Sequence, residues 1–425
     1  MKHYELAVKF YKTQGPRHDR ALWTIRQKRD KAIKEVDEWE ELRKKASKIK
    51  DEVINYLQDY VNEFIRNAKN QGIEVYFAKD ADEHNRIVLN LLKEINAKKV
   101  VKSKSMLTEE CGLNEYLEKK GIEVIDTDLG ERIVQLRKEK PSHIVLPAIH
   151  TTKEEVAEII GETNTDPTYL THKMRKLLRN EFLSADAGVS GANFLVADKG
   201  WAVVCTNEGN ADLGAVLPKL HIISVGIEKI VPNMRDLGIF LRMLARNATG
   251  QKITTYTSIF GHKKNGKRVI VLVDNGRFEK LNTEFKETLK CIRCSACLTT
   301  CPVFRRSGGH AYRYVIPGPI GSLLAPLVDK EEYSDLPFAC TLCNSCEMVC
   351  PVKIPFSKQL VKMREYVTKE NFAFKLAEKS MHSPLLFKLF STILRLTPTP
   401  LLKKAIKEWS KYKILPKIPP KRFIS

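Results

Sequence analysis

Cys291-Ile-Arg-Cys294-Ser-Ala-Cys297-Leu-Thr-Thr-Cys301-Pro302 and Cys340-Thr-Leu-Cys343-Asn-Ser-Cys346-Glu-Met-Val-Cys350-Pro351 are two copies of one pattern, C-x2-C-x2-C-x3-C-P. The two short steps make a tight loop whose three sulfurs converge on one [4Fe–4S] cube. The longer step opens a helix that carries the fourth sulfur towards a second cube, and the proline ends the loop by removing an N–H. The pattern therefore predicts two [4Fe–4S] clusters with crossed ligands. Cys291, Cys294, Cys297 and Cys350 hold the first, and Cys340, Cys343, Cys346 and Cys301 hold the second. Zinc and disulfides are the competing readings. Zinc takes paired C-x2-C knuckles that close one tetrahedron, often with histidine. Disulfides at this density suit small secreted scaffolds, not a chain of 425 residues.

Around the cysteines the chain reads as helix. Residues 283–290 form a helical lead, and the stretch after Pro355 is helical again. The insert 305–338, with Gly308-Gly309-His310 and Pro317-Gly318-Pro319, is longer than the connection of a minimal ferredoxin, which points to a helical two-cluster module. The tail segment 385–396 is apolar, followed by lysines and prolines, and is too short to span a bilayer. It is read as docking to its own body or to a partner ahead of peripheral membrane contact.

Upstream, 19–70 carries apolar residues at helical spacing, from Leu22 and Ile25 through Trp39 and Val53 to Phe64, and predicts one long helix. From Gly72 the period changes. Short β-rich runs at 73–77, 100–102, 122–125 and 144–146 alternate with amphipathic stretches at 83–95 and 107–119. That alternation predicts a mainly parallel sheet covered by helices. A helix at 167–182 follows, then strands at 193–197 and 201–206 joined by the hairpin signal Asp198-Lys199-Gly200, and further strands at 221–225, 253–257 and 269–274. No strand is followed by G-x-G-x-x-G, so a dinucleotide site of that type has no support. The expected layout is a helical region at 1–70, an α/β domain at 71–283, a two-cluster ferredoxin-type domain at 284–369 and a basic helical tail at 370–425.

The formal charge is +21, from 72 Lys and Arg against 51 Asp and Glu. The basic residues are spread along helices and no nucleic-acid motif accompanies them, so nucleic acid is not expected as a partner. A solvated basic surface that meets acidic partners or an anionic membrane fits better. Ten cysteines, eight of them in the two runs, imply a reducing cytoplasm, and the remaining Cys111 and Cys205 read as buried free thiols. The start Met1-Lys-His-Tyr-Glu-Leu has no apolar h-region, which fits a cytoplasmic protein.

Ligands of open α/β sheets collect beyond the carboxyl ends of the strands. The polar candidates lie at such places: His150, Asn193, the turn Thr206-Asn207-Glu208-Gly209-Asn210, and Arg277 after the last strand. Glu208 as base and His150 as proton carrier are the catalytic candidates. Arg277 and Lys104 are candidates for a carboxylate, with Asn193 and Asn207 beside them, so a small anionic metabolite is the expected ligand. Ordinary turn chemistry is the competing reading for each.

Several strings carry a resemblance. They include Val101-Lys-Ser-Lys-Ser-Met106, Thr127-Asp-Leu-Gly-Glu131, Pro141-Ser-His-Ile144, Pro147-Ala-Ile-His150, Gly191-Ala-Asn-Phe194, Thr206-Asn-Glu-Gly-Asn210, Val225-Gly-Ile-Glu-Lys-Ile-Val-Pro232, Val273-Asp-Asn-Gly-Arg277 and Gly309-His-Ala-Tyr312. In order and density they are similar to the iron–sulfur subunit of the lactate-utilisation system, lactate utilisation protein B. The resemblance covers nearly the whole chain from Asp19. It implies a LUD-type, CoA-transferase-like α/β domain followed by the two-cluster module. It also implies companion subunits, one of them cysteine-rich, in a system that oxidises L-lactate to pyruvate. A self-sufficient 2-hydroxy-acid oxidase and a redox-sensing scaffold are the alternatives. One departure is the basic segment Gly261-His-Lys-Lys-Asn-Gly-Lys-Arg-Val-Ile270, shorter than its counterpart in the family.

Overall fold

The centre of the computed structural model, which describes residues 2–368, 378, 381–398, 400 and 401, is a six-stranded, fully parallel sheet. Its strands are β1 (Glu74–Ala78), β2 (Lys99–Lys102), β3 (Glu123–Asp126), β4 (Ala187–Ser190), β7 (Leu220–Gly226) and β10 (Lys267–Val273). They lie in the order β1-β10-β7-β4-β2-β3. The middle strands are buried on both faces, which is why β7 and β10 are near-continuous apolar runs. A second, four-stranded sheet has the order β8-β5-β6-β9, from β5 (Phe194–Val196), β6 (Trp201–Thr206), β8 (Ile230–Val231) and β9 (Tyr256–Phe260). The expected hairpin at Asp198-Lys199-Gly200 joins β5 to β6 in antiparallel register.

The strand expected at 144–146 is a loop. Pro141 and Pro147 bracket it, and the N–H groups of Val145 and Leu146 both donate to His143 Nδ1 at 3.0 Å instead of to a neighbouring strand. The strand expected at 253–257 begins at Tyr256, because its pairing with β6 sets Thr206 opposite Tyr256. β4 was not expected from its sequence, Ala-Gly-Val-Ser. It is admitted to the middle of the sheet because Gly188 lets the Gly214 backbone come so close that any Cβ would overlap the Gly214 carbonyl.

The expected N-terminal helix is helical but divided: α2 (Gly15–Lys34), α3 (Trp39–Asn55) and α4 (Leu57–Asn70), preceded by α1 (His3–Thr13). No proline or glycine marks either break within 19–70. The apolar stripe continues through both: α2 and the first half of α3 bury it in one core, and the end of α3 with α4 buries it in another. α4 packs against one face of the six-stranded sheet through Leu57, Val61 and Phe64. Leu22 of α2 and Leu42 of α3 enter a core shared with helix Met234–Thr249 and with Ile292, Leu298, Phe304, Ile320 and Met363 of the cysteine-bearing module. The α/β domain and the cysteine module therefore share one continuous interior. One body runs to Val367 and a second begins at Thr368. In the second, helix Pro384–Leu396 exposes Leu385, Leu389 and Ile393. Among the described residues no helix is long and apolar enough to cross a membrane.

The junction between the two modules is close at Gly309, where an added Cβ would fall on the Ser142 carbonyl. Gly309→Ala should destabilise the loaded protein by about 1–3 kcal/mol through overpacking. Thermal unfolding followed with the visible chromophore checks this, and an unchanged midpoint would show that the loop yields freely.

Candidate functional site

The two cysteine runs fold alike. Each loop turns through two left-handed residues at matched positions, Arg293 (φ 59) and Ser295 (φ 62) in one, Leu342 (φ 55) and Asn344 (φ 65) in the other. Non-glycine residues adopt this conformation at a cost of about 1–2 kcal/mol each, so the repetition marks loops shaped to wrap a ligand. Cys291, Cys294, Cys297 and Cys350 wall one enclosed space, together with Ile292, Ile320, Val352 and Phe356. Cys340, Cys343, Cys346 and Cys301 wall another. Backbone N–H groups face the sulfurs: Arg293 to Cys291 (3.4 Å), Ile354 to Cys350 (3.4 Å), Leu342 to Cys340 (3.3 Å) and Phe304 to Cys301 (3.5 Å). Four converging sulfurs, apolar walls and N–H donors suit a thiolate-ligated iron–sulfur cube.

The first set is the more buried, and the α/β domain reaches it. Asn247, in the last turn of helix Met234–Thr249, donates to Cys294 Sγ (3.4 Å) and to the Val349 carbonyl (3.2 Å). Arg29 of α2 holds that amide in place through Nε (2.9 Å) and Nη2 (2.7 Å). Arg29, Lys50, Lys229 and Arg293 all lie within electrostatic range of Cys291 or Cys294. The second set is nearer water, with Cys343 exposed.

A cavity of about 530 Å³ opens beyond the carboxyl ends of β2, β4 and β7. Its walls come from Ser103–Leu107, the 144–149 loop, Gly191–Asn193, Thr206–Glu208 and Gly226, and its inner end reaches Arg293 and Cys294. It therefore adjoins the first cysteine set. Glu208 stands exposed at the mouth, its Oε2 accepting from Leu129 N–H (3.0 Å). Burial against the walls, then the Asp128 carboxylate, push its carboxyl up to about 7, and water at the mouth screens part of that rise.

A family model described as LUD domain matches residues 61–282, and one described as 4Fe-4S dicluster domain matches 287–354. The chain is 42% identical over 369 residues to lactate utilization protein B of Bacillus subtilis (strain 168), covering 84% of this chain and 77% of that one. The chain belongs to the lactate utilization protein B family. Lactate utilization protein B of Shouchella clausii is 40% identical over 421 residues, 92% of this chain and 89% of that one. An uncharacterized electron transport protein of Escherichia coli (strain K12), YkgF, is 40% identical over 366 residues, 83% and 77%.

In this lactate utilization protein B family member the cavity gathers Lys104, Asn193, Asn207, Glu208 and Arg277, five of the six polar residues singled out from the sequence. His150 is the exception. Its Nδ1 is bonded to Ser142 Oγ (2.8 Å) and its Nε2 to Glu139 (2.8 Å), and it packs edge-on against His310 away from the cavity, so it is a junction residue and not a proton carrier for this site. Arg277 is not a free anion holder either. Its fork is taken by Glu228, by Glu110 (3.1 and 3.2 Å) and by the Asp274 carbonyl (3.0 Å). Lys104 is paired with Asp128 (2.9 Å) and the Val145 carbonyl (3.1 Å). Asn207 fastens the rim to Thr255 (3.0 Å) and Gln251 (3.0 Å), and Asn193 accepts from Cys205 N–H (2.8 Å). Cys111 is buried as expected, whereas Cys205 is half-buried in the cavity wall. The departing segment 261–270 enters β10 at its amino end, the end of the strands opposite the cavity. Lys229, Arg293 and Asn247 were not anticipated. Arg293 reads as a spacer inside C-x2-C, and an asparagine on the apolar face of a helix was the one signal available for Asn247.

Proposed function

We propose that this chain is the iron–sulfur electron-transfer subunit of a cytoplasmic assembly that oxidises L-lactate to pyruvate, together with companion subunits of which one is cysteine-rich. The observation that carries the reading is the cavity's inner end, where Lys229 and Arg293 line a space that Cys294 of the first cysteine set also walls. The relatives' names supply the metabolite. When loaded, the two [4Fe–4S] cubes supply one-electron chemistry. The chain's own residues do the rest. The crossed cysteines hold the clusters, Asn247 and the backbone N–H groups orient the sulfurs, and Glu208 is placed to accept a proton at the cavity mouth. Conversion of L-lactate to pyruvate releases two electrons and two protons, so it needs a two-electron acceptor, which this reading assigns to the companion subunits.

The isolated, fully loaded subunit should therefore fail to oxidise L-lactate with an artificial acceptor, while the assembled complex succeeds and L-lactate bleaches its iron–sulfur absorption. Robust turnover by the lone subunit would replace this reading with that of a self-sufficient oxidase. An assembly that turns over equally well after cluster removal would make the chain a scaffold.

A further inference from the structure

We infer that Arg293 and Lys229 form the carboxylate clamp of the cavity, and that the ligand they take is a small monocarboxylate with an oxygen on the neighbouring carbon. The inference rests on the reading that the cavity receives the substrate. Arg277 is saturated by Glu110, Glu228 and a carbonyl, and Lys104 by Asp128 and a carbonyl. Arg293 and Lys229 also line the cavity, yet among the described residues neither side chain makes an ion pair or a hydrogen bond. Arg293 Nη1 is buried with no hydrogen-bond partner at all. A buried guanidinium nitrogen without a partner is unfavourable unless something supplies an acceptor. A planar carboxylate matches the guanidinium fork, and an ammonium adds a second point of attachment.

At this end Arg277 is committed to Glu110 and Glu228, while Arg293 and Lys229 form no ion pair with either carboxylate. The placement is also specific. Arg293 sits between Cys291 and Cys294 in the left-handed conformation, and it borders both the cavity and the space walled by the first cysteine set. An anion held there is fixed at the end of the cavity that Cys294 closes, leaving its remaining atoms directed along a chamber with Glu208 at the far, open end.

The test uses the full chain, loaded anaerobically, with calorimetric titration of pyruvate, L-lactate, acetate and inorganic phosphate, and electron paramagnetic resonance of the reduced clusters with and without each. Pyruvate and L-lactate should bind and perturb the spectrum of one cluster. Lys229→Met and Arg293→Gln should each weaken that binding at least about tenfold with iron and sulfide unchanged. Should Arg293→Gln lose iron, Lys229→Met decides, since it lies outside the cysteine loops. Acetate binding that both variants abolish, with L-lactate and pyruvate no tighter, would keep the clamp and overturn the lactate reading. Preference for phosphate, no carboxylate binding, or variants that bind as the parent does would overturn the clamp.

Discussion

Cys350→Ser should leave about four of eight iron atoms if the chain holds two [4Fe–4S] cubes as proposed, and the iron lost should be that of the first run, not of the run in which the substitution lies. Cys350 closes the space walled by Cys291, Cys294 and Cys297, although 53 positions separate it from Cys297. Serine offers a harder, less acidic ligand and loses the N–H···S contact from Ile354. Cys301→Ser should do the converse, since Cys301 completes the space of Cys340, Cys343 and Cys346. Iron and sulfide analysis together with spectroscopy that resolves the two cubes reads both. Loss of the same-run cube in either variant would refute the crossing, and stoichiometric zinc without sulfide in the parent protein would refute the clusters.

The second large effect is expected at Glu208. Glu208→Gln should slow lactate oxidation by the assembled complex on the order of 10²–10⁴-fold, the usual loss when a general base is removed, with iron content unchanged. The pH profile gives a separate reading. Burial and then Asp128 raise this carboxyl from its ordinary value to about 7, while the Leu129 N–H and Lys104 oppose the rise. Its basic form is therefore present above that pH and is lost as pH falls through it. The parent rate should climb as pH rises from the ordinary carboxylate range towards about 7, and Glu208→Gln should flatten that limb. A rate unchanged by the substitution would return Asn207-Glu208-Gly209 to the status of a turn.

The cysteine spacing and the βα alternation were open to sequence reading because each is local. Three sulfurs within seven residues, or a β-branched run ended by a turn, need no distant partner to be recognised. The cavity is not local. Lys104, Glu208, Lys229 and Arg293 come from four separate connections, brought together by the two sheets and by the packing of the cysteine module against them. Charge alone also misleads. Arg277 and Arg293 look equivalent in sequence, and what separates them is that Glu110 and Glu228 form ion pairs with Arg277 and not with Arg293. His150 failed for a related reason. The strand expected to carry it to a sheet end is a proline-bracketed loop whose N–H groups are taken by His143. The passage of the stripe from one core to another along α3 was equally hidden, since an unbroken apolar stripe does not tell whether it faces one core or two.

The crossed arrangement of the cysteines also bears on how the protein is made. A nascent chain that has passed Cys301 holds one complete run but no complete set of four thiols, because the first set waits for Cys350 and the second for Cys340, Cys343 and Cys346. The second set becomes complete at Cys346 and the first only at Cys350, by which time every strand of the α/β domain has already been synthesised. Cluster delivery must then reach a first site bordered by Asn247 and Arg29 of elements made earlier, so the biogenesis machinery meets a nearly finished molecule. A stalled or truncated translation product ending between Cys301 and Cys346 would carry several free thiols and no complete set of four to bind a cube.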